Sequence, residues 1–298
     1  MLDLLAQPVP YQTIIQNAQL SLTVKRLDLV HPEISGNKFY KLKNNIHFAL
    51  AEGFKQLLTF GGAFSNHIAA TAAAGKLAGL STIGIIRGEE LAQRPFNPTL
   101  MQAQANGMQL YFVSRHEYRH RADQDYLQTL QQRFPQAYII PEGGTNSLAV
   151  TGCKEILSSE DLENYDVFCC AVGTGGTMSG LIEASSEQHQ VLGFPVLKGD
   201  FLQAEITQWT NKTHWQLLQD YHFGGYAKTT PALLDFIQHF KKAYSIPLEP
   251  IYTAKMLFGL IDLIQKNYFQ PHTRILAIHS GGLQGFPLHP ESFSKNRL

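Results

Sequence analysis

The sequence predicts an α/β fold in which mostly parallel sheets are covered by helices, and three observations support this prediction. The chain has 298 residues, which favours one large α/β unit or two domains of ordinary size over a single small domain. Hydrophobic residues make up 44% of the chain and charged residues 16%, so it can bury a sizeable core. Short apolar runs alternate with segments of helical composition, which is typical of parallel strands joined through covering helices.

The predicted strands are short runs rich in β-branched or other apolar residues. In chain order they cover residues 22–24, 57–60, 82–86, 110–113, 138–140, 167–172, 191–197 and 275–278. The segments between them with helical composition are 67–80, 127–134, 147–157 and 231–244. Neither internal repeats nor Pro/Ser-rich linkers interrupt this order, so composition alone marks no domain boundary.

Glycines follow several of the predicted strands. They occur in pairs or clusters at 61–62, 143–144, 173–176 and 281–282, each shortly after a strand. In open α/β sheets, ligands bind beyond the carboxyl ends of the strands, where such loops meet. We therefore expect the ligand site at that edge.

The charge balance limits the classes of partner. Lys plus Arg and Asp plus Glu both number 24, so the formal net charge is zero and nothing attracts the chain to nucleic acid or to an anionic membrane. No apolar run reaches the roughly 18 residues that cross a bilayer, and residues 1–10 lack the features of a signal peptide. A cytoplasmic protein that acts on a small molecule is expected.

The three cysteines, Cys153, Cys169 and Cys170, lack the spacing of a metal or redox site. Two are adjacent in an apolar run. Buried free thiols are the prediction.

The strongest local signal is the run Gly173-Thr174-Gly175-Gly176-Thr177, which follows an apolar strand and opens a helical segment. Glycines there let backbone N–H groups approach an anion at a helix N-terminus, so a phosphate cradle is predicted. The dinucleotide fingerprint fails because its third glycine would fall at Met178. A tight turn without ligand is the alternative.

Residues His116-Glu117-Tyr118-Arg119-His120 match the H-E-x-x-H pattern of zinc proteases. Their flanks are strongly polar, whereas a metal-binding helix needs an apolar face. A solvated helix without metal is the prediction, and a metallohydrolase using His116 and His120 is the alternative.

Two further segments carry candidate chemistry. Lys38 follows Gly36-Asn37, and a lysine behind such a turn is held by fixed backbone, as a Schiff-base lysine must be. A solvated turn lysine remains the alternative, since Lys41 and Lys43 lie nearby. Ser65-Asn66-His67 heads an Ala-rich helix, where Ser65 or Asn66 could simply be an N-cap.

Together these pieces resemble the family of pyridoxal-phosphate enzymes of the tryptophan-synthase β fold that contains 1-aminocyclopropane-1-carboxylate (ACC) deaminase and D-cysteine desulfhydrase. The resemblance covers nearly the whole chain, and it is the ordered set of motifs that is specific. In chain order the motifs are Lys25-Arg26-Leu27-Asp28, Gly36-Asn37-Lys38, Gly61-Gly62 with Ser65-Asn66-His67, Pro141-Glu142-Gly143-Gly144, the loop 173–177, Gly224-Gly225-Tyr226, Pro250-Ile251-Tyr252 and His279-Ser280-Gly281-Gly282.

The resemblance implies pyridoxal 5′-phosphate as cofactor and a role for each matched residue. Lys38 would form the Schiff base and move the substrate proton, with Ser65, Tyr226 and Tyr252 as further catalytic residues. Asn66 would bind the cofactor's 3′-oxygen, and Ser65, Asn66 and His67 would contact the substrate. The phosphate would be held by the loop residues, namely Gly173, Thr174, Gly175, Gly176 and Thr177.

Two positions separate the branches of the family. ACC deaminases have Glu directly after the Tyr252 position and Leu between the histidine and the glycines of the last motif, whereas this chain has Thr253 and Ser280. D-Cysteine desulfhydrases have small hydroxyl residues there. Hydroxyls beside the cofactor, unlike a carboxylate, leave its ring a weaker electron sink, which suffices for a β-elimination.

The resemblance therefore implies D-cysteine desulfhydrase activity, in which D-cysteine and water give pyruvate, ammonia and sulfide. ACC deaminase and a non-catalytic homologue that binds the cofactor are the alternatives. The implied fold has a larger cofactor domain, residues 1–47 and 152–298, and a smaller inserted α/β domain, residues 48–151. Each domain has three layers with a mostly parallel sheet, and a homodimer is expected.

Overall fold

Two separate sheets organise the chain, and the computed structural model describes residues 5–283 of it. The strands are β1 (Tyr11–Gln16), β2 (Leu20–Lys25), β3 (Gln56–Gly61), β4 (Ser81–Arg87), β5 (Met108–Val113), β6 (Ala137–Ile140), β7 (Val167–Val172), β8 (Gln190–Pro195), β9 (Trp215–Leu217) and β10 (Thr273–Ile278). The larger sheet has the order β1-β2-β10-β7-β8-β9 and the smaller sheet the order β5-β4-β3-β6.

Within the described residues, every strand pair is parallel except β1 with β2. The helices are α1 (Asn37–Ala51), α2 (Asn66–Ala78), α3 (Pro98–Ala105), α4 (Gln124–Arg133), α5 (Ser147–Lys154), α6 (Ser159–Asn164), α7 (Gly176–Ala184), α8 (Phe201–Thr207), α9 (Pro231–Tyr244) and α10 (Thr253–Gln265). This arrangement confirms the predicted α/β fold with mostly parallel sheets.

Strand β7 shows that both faces of the larger sheet are covered. Its residues Cys169 and Ala171 pack in the cluster that includes α9 and α10. Its residues Phe168 and Cys170 point the other way, into the cluster that includes α7 and α8. All six residues of β7 are buried, as expected of a central parallel strand. The smaller sheet has the same three-layer arrangement, with α1 and α2 on one face and α4 on the other.

Some elements differ from the prediction. Strands β1 and β9 were not predicted, and neither was helix α1, where the sequence pattern suggested only a turn around Lys38. In the structure Lys38 lies in the first turn of α1, which begins after Gly36. The predicted helix around His116 is a short 3-10 turn, Glu117–His120. Lys41 and Lys43, which suggested a solvated segment, are both buried.

The predicted domain boundaries at 47/48 and 151/152 fall inside α1 and α5, two helices that pack against each other. The strands of the smaller sheet all lie between residues 56 and 140. The larger sheet takes strands from both sides of that segment. The division into two domains remains a prediction, and part of the predicted larger domain, residues 1–4 and 284–298, lies outside the described residues.

Two predictions about side chains and membranes can be compared directly with the structure. Cys153, Cys169 and Cys170 are all buried free thiols, as predicted. Among residues 5–283, no helix combines the length and the apolar character that a membrane crossing requires.

Candidate active site

A cavity of about 400 Å³ lies where the carboxyl ends of both sheets face each other. Its walls come from the segments that follow β3, β6, β7 and β10, as the glycine pattern predicted. The predicted residues that line it are Lys38, Ser65, Asn66, His67, Gly173, Thr174, Gly175, Thr177, Tyr226, Tyr252 and Ser280. The fold thus brings together residues separated by more than half of the chain.

Lys38 is held at the cavity by a close contact between the two chain ends. Gly36 has φ +69°, and a Cβ at this position would come within 1.9 Å of the Ser280 carbonyl oxygen, so only glycine fits. The backbone N–H of Asn37 donates to that same carbonyl at 3.2 Å. Helix α1 therefore starts against the 279–282 turn, with Lys38 in its first turn.

The Lys38 amine is poised for nucleophilic chemistry. Desolvation by burial, helped by the nearby Lys41 charge, lowers its pKa from 10.5 to about 7. Its Nζ lies 3.3 Å from Asn37 Oδ1, and the Asn37 amide donates to Thr177 Oγ1 at 2.7 Å. A lysine with a depressed pKa has a large neutral fraction near pH 7, which attack on an aldehyde requires.

A buried polar network fixes the 279–282 turn. Arg26 makes a bidentate pair with Asp28, at 2.8 Å and 2.7 Å. The carboxylate of Asp28 also lies 3.4 Å from His279 Nδ1, and His279 Nε2 lies 2.8 Å from the Pro247 carbonyl. These contacts explain why the Lys25-Arg26-Leu27-Asp28 and His279-Ser280-Gly281-Gly282 motifs occur together.

The loop 173–177 and the first turn of helix α7 have backbone geometry compatible with the predicted anion cradle. The loop follows β7 directly, Gly175 has φ +79°, and α7 presents the free N–H groups of its first turn. The Lys41 side chain reaches this loop from α1. Its Nζ donates to Gly143 O at 2.9 Å, Thr145 Oγ1 at 2.8 Å and Thr174 Oγ1 at 3.2 Å. A cationic amine and a helix N-terminus together suit a phosphate dianion.

Helix α2 forms the opposite wall. Ser65 is its N-cap, and Ser65 Oγ accepts from the Ile68 N–H at 3.4 Å. The capping role considered for Ser65 from the sequence is therefore present, and Ser65 also lines the cavity. Asn66 packs against the backbone of Gly282, where a Cβ would lie 2.8 Å from the amide nitrogen. His67 is buried at 1% exposure, and burial lowers its pKa well below the usual value.

The two predicted tyrosines meet at the mouth of the cavity. The rings of Tyr226 and Tyr252 make an edge contact, with 6.2 Å between centroids. Burial raises the pKa of both hydroxyls, that of Tyr252 well above its ordinary value. Lys255, fully buried, donates to the carbonyls of His222 and Gly225 and so fixes the loop that carries Tyr226.

Two predicted cofactor residues, Gly176 and Thr253, do not line the cavity. Gly176 is the first residue of α7 and packs against Thr145. Thr253 is fully buried, and its hydroxyl donates to Glu249 at 3.1 Å. Glu249 also accepts the N–H groups of residues 251–253, while burial raises its pKa to about 6. The functional roles of all the predicted site residues remain predictions.

The histidine pair is not arranged as a zinc-protease motif. His116 and His120 are exposed around a 3-10 turn, their ring centroids are 5.4 Å apart, and His120 pairs with Asp123 at 2.7 Å. Glu117 accepts a hydrogen bond from Tyr126. Within residues 5–283, no group of three or more His, Cys, Asp and Glu side chains is placed to hold a metal ion.

The sequence analysis gave no role to several residues that line the cavity, above all Lys41, Arg87, Arg121 and Glu142. Lys41 follows Lys38 by three residues, a helical spacing that would have placed both on one face once α1 was recognised. Arg87 ends β4, and its place at a carboxyl end was an available signal. Glu142 lies in the Pro141-Glu142-Gly143-Gly144 motif, which marked its position but not its role, and Arg121 gave no signal.

A half-buried lysine of low pKa shares a cavity with a glycine-rich helix N-terminus and a second lysine, between two mostly parallel sheets. This combination is typical of an α/β enzyme that holds a phosphorylated, carbonyl-bearing cofactor. The sequence model of pyridoxal-phosphate dependent enzymes matches residues 6–281. The chain belongs to this family of pyridoxal-phosphate dependent enzymes, and pyridoxal phosphate is its cofactor.

The relatives of this chain are named after both branches of the family, ACC deaminase and D-cysteine desulfhydrase. A Thermotoga maritima protein, named provisionally as an ACC deaminase, is 30% identical over 95% of this chain and 96% of its own length. A D-cysteine desulfhydrase of Salmonella typhi is 27% identical over 97% and 96%. A crystal structure of an ACC deaminase homologue superposes with a TM-score of 0.80 at 27% identity, covering 95% of this chain and 91% of that one.

More distant structures agree on the fold alone. A cystathionine β-synthase from Helicobacter pylori has a TM-score of 0.63 at 13% identity, over 93% of each chain. This likeness supports the predicted tryptophan-synthase-β-like fold.

The cavity fits pyridoxal phosphate. The donors at the α7 end, which are backbone N–H groups, threonine hydroxyls and the Lys41 amine, suit the phosphate. The Lys38 amine, at the other side, suits the aldehyde. His67 Nδ1 is buried without a hydrogen-bond partner among the described residues, which indicates that a ligand group belongs beside it.

Proposed function

We propose that this enzyme catalyses β-elimination from a small β-substituted amino acid, with D-cysteine as the reference substrate. D-Cysteine and water would give pyruvate, ammonia and hydrogen sulfide, a reaction in which all atoms balance. The observation that carries the proposal is the place of Lys38: a base of pKa about 7 at the wall of a cavity that also holds the phosphate cradle and the start of α2.

When bound, pyridoxal phosphate withdraws electrons from the substrate and so makes loss of the α-proton feasible. Lys38 would hold the cofactor and take that proton, because it is the lysine of low pKa that is free of other strong hydrogen bonds. Lys41 would pair with the phosphate beside Thr174. The N–H groups of the first turn of α2, at Asn66 and His67, would hold the substrate carboxylate.

The charges of the cavity favour elimination over ring opening. Of its lining residues within the described chain, Glu142 alone is a carboxylate, and Arg121 pairs with it at 2.5 Å. Ser280 adds a hydroxyl. Glu249 is buried behind the wall and caps α10 instead. Opening a cyclopropane needs strong electron withdrawal, whereas a thiolate leaves readily once the α-proton is lost.

The names of the relatives support a second candidate, ACC deaminase, because the Thermotoga maritima relative and the solved homologue carry that name. A plant relative from Arabidopsis thaliana, 29% identical over 89% of this chain and 73% of its own, is named for both activities. Both activities are therefore candidates for this chain.

A panel of D- and L-cysteine, D- and L-serine, β-chloro-D-alanine and ACC tests the proposal on the holoenzyme. Pyruvate and sulfide from D-cysteine, with little 2-oxobutyrate from ACC, are expected. Faster turnover of ACC would establish the second candidate. No turnover of any compound by protein that carries the cofactor would favour the non-catalytic homologue.

The proposal includes a homodimer, which the resemblance implies, and a cytoplasmic location, which the sequence predicts. Light scattering on the purified holoenzyme tests the first and cell fractionation the second. A monomeric mass at assay concentration would remove the dimer from the proposal.

A further inference from the structure

An arginine-rich cleft opens beside the active-site cavity. It is lined by Arg87, Arg115, Tyr118, Arg119, Arg121 and Glu142, and its volume is about 320 Å³. We call it the arginine cleft. Arg87, Arg121 and Glu142 line both spaces, so the cleft adjoins the cavity that Lys38 lines.

The negative charges in the arginine cleft are already neutralised. Both carboxylate oxygens of Glu142 are occupied, one by the Tyr118 hydroxyl at 2.7 Å and the other by Arg121 Nε at 2.5 Å. Arg115 pairs with Glu90 at 2.8 Å. The other two arginines, Arg87 and Arg119, remain as unbalanced positive charge.

Arg87 is the residue best placed to use that charge. It ends β4 at the carboxyl edge of the smaller sheet, and its side chain makes no hydrogen bond or ion pair with any residue in 5–283. Its guanidinium stands 5.9 Å from the Tyr118 ring centre, and Nη2 lies 3.7 Å from a Cβ built on Gly62. Burial raises the pKa of Tyr226, and the Arg87 charge opposes that rise, so the charge acts across the cavity.

We infer that the arginine cleft binds an anionic group on the β-substituent of the substrate, with Arg87 as the specificity-determining residue. This inference deepens the proposed β-elimination and rests on it. A guanidinium is always charged and donates two parallel hydrogen bonds to a carboxylate, sulfonate or phosphate. The cleft adjoins the reacting centre and is small, so it suits the far end of an amino acid rather than a macromolecule.

O-Phosphoserine is the probe, and its elimination balances. The bond between Cβ and the ester oxygen breaks, and phosphate leaves with the electron pair. The α-proton passes to Lys38. One water then hydrolyses the released 2-aminoacrylate to pyruvate and ammonia. β-Chloroalanine, whose side chain is neutral, is the comparison substrate, and both enantiomers of each are assayed.

The measured quantity is the ratio of kcat/KM for O-phosphoserine to kcat/KM for β-chloroalanine. Arg87→Gln is expected to lower this ratio at least tenfold, and Arg87→Lys to lower it less, because lysine keeps the charge without the planar fork. Arg94→Gln is the matched control, since Arg94 is an exposed arginine of the same sheet region that does not line the cleft. The control should leave the ratio unchanged.

Two results would overturn the inference while the proposed elimination stands. One is that β-chloroalanine is turned over, whereas O-phosphoserine is neither turned over nor inhibits that reaction. The other is an equal loss with both substrates in Arg87→Gln, which would assign Arg87 to the α-carboxylate or to the fold. If neither compound is turned over, the proposed elimination fails. Calorimetric titration of the holoprotein with O-phosphoserine then tests binding alone. Tenfold weaker binding in Arg87→Gln would support binding at the arginine cleft, and equal binding would overturn it.

Discussion

His67 Nε2 and Thr59 Oγ1 are joined by a hydrogen bond of 2.8 Å. Thr59 donates its single proton to the Ile140 carbonyl at 2.9 Å, so the imidazole must be the donor in the bond to Thr59. Nδ1 therefore carries a lone pair. A lone pair repels a carboxylate, so in this tautomer Nδ1 suits a donor group, and the substrate carboxylate is left to the N–H groups of α2.

Thr59→Val tests this relationship through stability. Removing the hydroxyl leaves the buried Nε2 proton without an acceptor, which is expected to cost about 1–3 kcal/mol in the free energy of unfolding. Thr71→Val is the matched control, because Thr71 is buried on α2 and its hydroxyl has no partner among residues 5–283. Urea unfolding should show Thr71→Val neutral or stabilised. Equal losses in both variants would contradict the assigned tautomer.

Reduction of the holoenzyme with borohydride is expected to fix the cofactor to Lys38. Lys38→Ala should lose turnover by several orders of magnitude, because it removes the covalent partner and the base together. Peptide mass spectrometry identifies the modified residue. An adduct on Lys41 or Lys43 would show that the wrong lysine has been chosen.

The low pKa of Lys38 predicts the pH dependence of cofactor uptake. The amine is neutral above its pKa, so the rate at which apoprotein takes up pyridoxal phosphate should rise with pH and be half-maximal near 7 rather than near 10.5. The unfolded chain binds this proton more tightly, so the charged amine destabilises the folded apoprotein, and this cost is relieved as pH rises from about 7 toward 10.5. Stopped-flow absorbance measures the rate.

The variant Lys41→Met tests whether the pKa of Lys38 controls the pH dependence of cofactor uptake. Burial is the main cause of the low pKa and the Lys41 charge is the second, so removing this charge should move the midpoint to higher pH. An unchanged midpoint in the variant would mean that another group controls uptake.

Replacing His116 and His120 with alanine should leave activity within a factor of about two, since exposed substitutions of this kind usually cost little. Elemental analysis for zinc accompanies the assay. Stoichiometric zinc that disappears together with activity would revive the metallohydrolase interpretation.

The exchange Thr253→Glu with Ser280→Leu should raise 2-oxobutyrate formation from ACC relative to pyruvate formation from D-cysteine. A tenfold change in the ratio corresponds to about 1.4 kcal/mol in the difference between the two activation free energies, which two side chains can supply. The structure adds a cost, because the new carboxylate would stand beside the buried Glu249. We expect the double variant to be less stable than the parent in urea unfolding, and Glu249→Gln should not recover the loss, because both Glu249 oxygens accept backbone N–H groups of residues 251–253. A double variant as stable as the parent would contradict this contact.

The sequence predicted every strand that is buried on both faces, together with the partly buried β5 and β6. Residues 167–172 form a continuous apolar run because helices cover both sides of β7. Strand β1 was missed since it lies at the sheet edge with only partly buried residues, and β9 has three residues. Helix α1 was missed because it buries Lys41, Lys43 and Asn45, which the sequence reads as polar surface.

The site was predictable where a motif carries its own chemistry and not where residues meet only through the fold. Gly36-Asn37-Lys38 and the loop 173–177 are local patterns with a chemical meaning. Arg87 and Glu142 belong to different strand ends, and nothing in the sequence places them next to Tyr226. Thr253 directly follows the cavity residue Tyr252, yet its side chain is buried against Glu249 at the start of α10.

The pairing of β2 with β10, and of β10 with β7, also sets the order in which the chain can fold during synthesis. All strands of the smaller sheet have left the ribosome once residue 140 is free, so that sheet can form early. The larger sheet lacks the strand that joins β2 to β7 until residues 273–278 emerge. Lys38 is thus synthesised long before the strand that completes its surroundings.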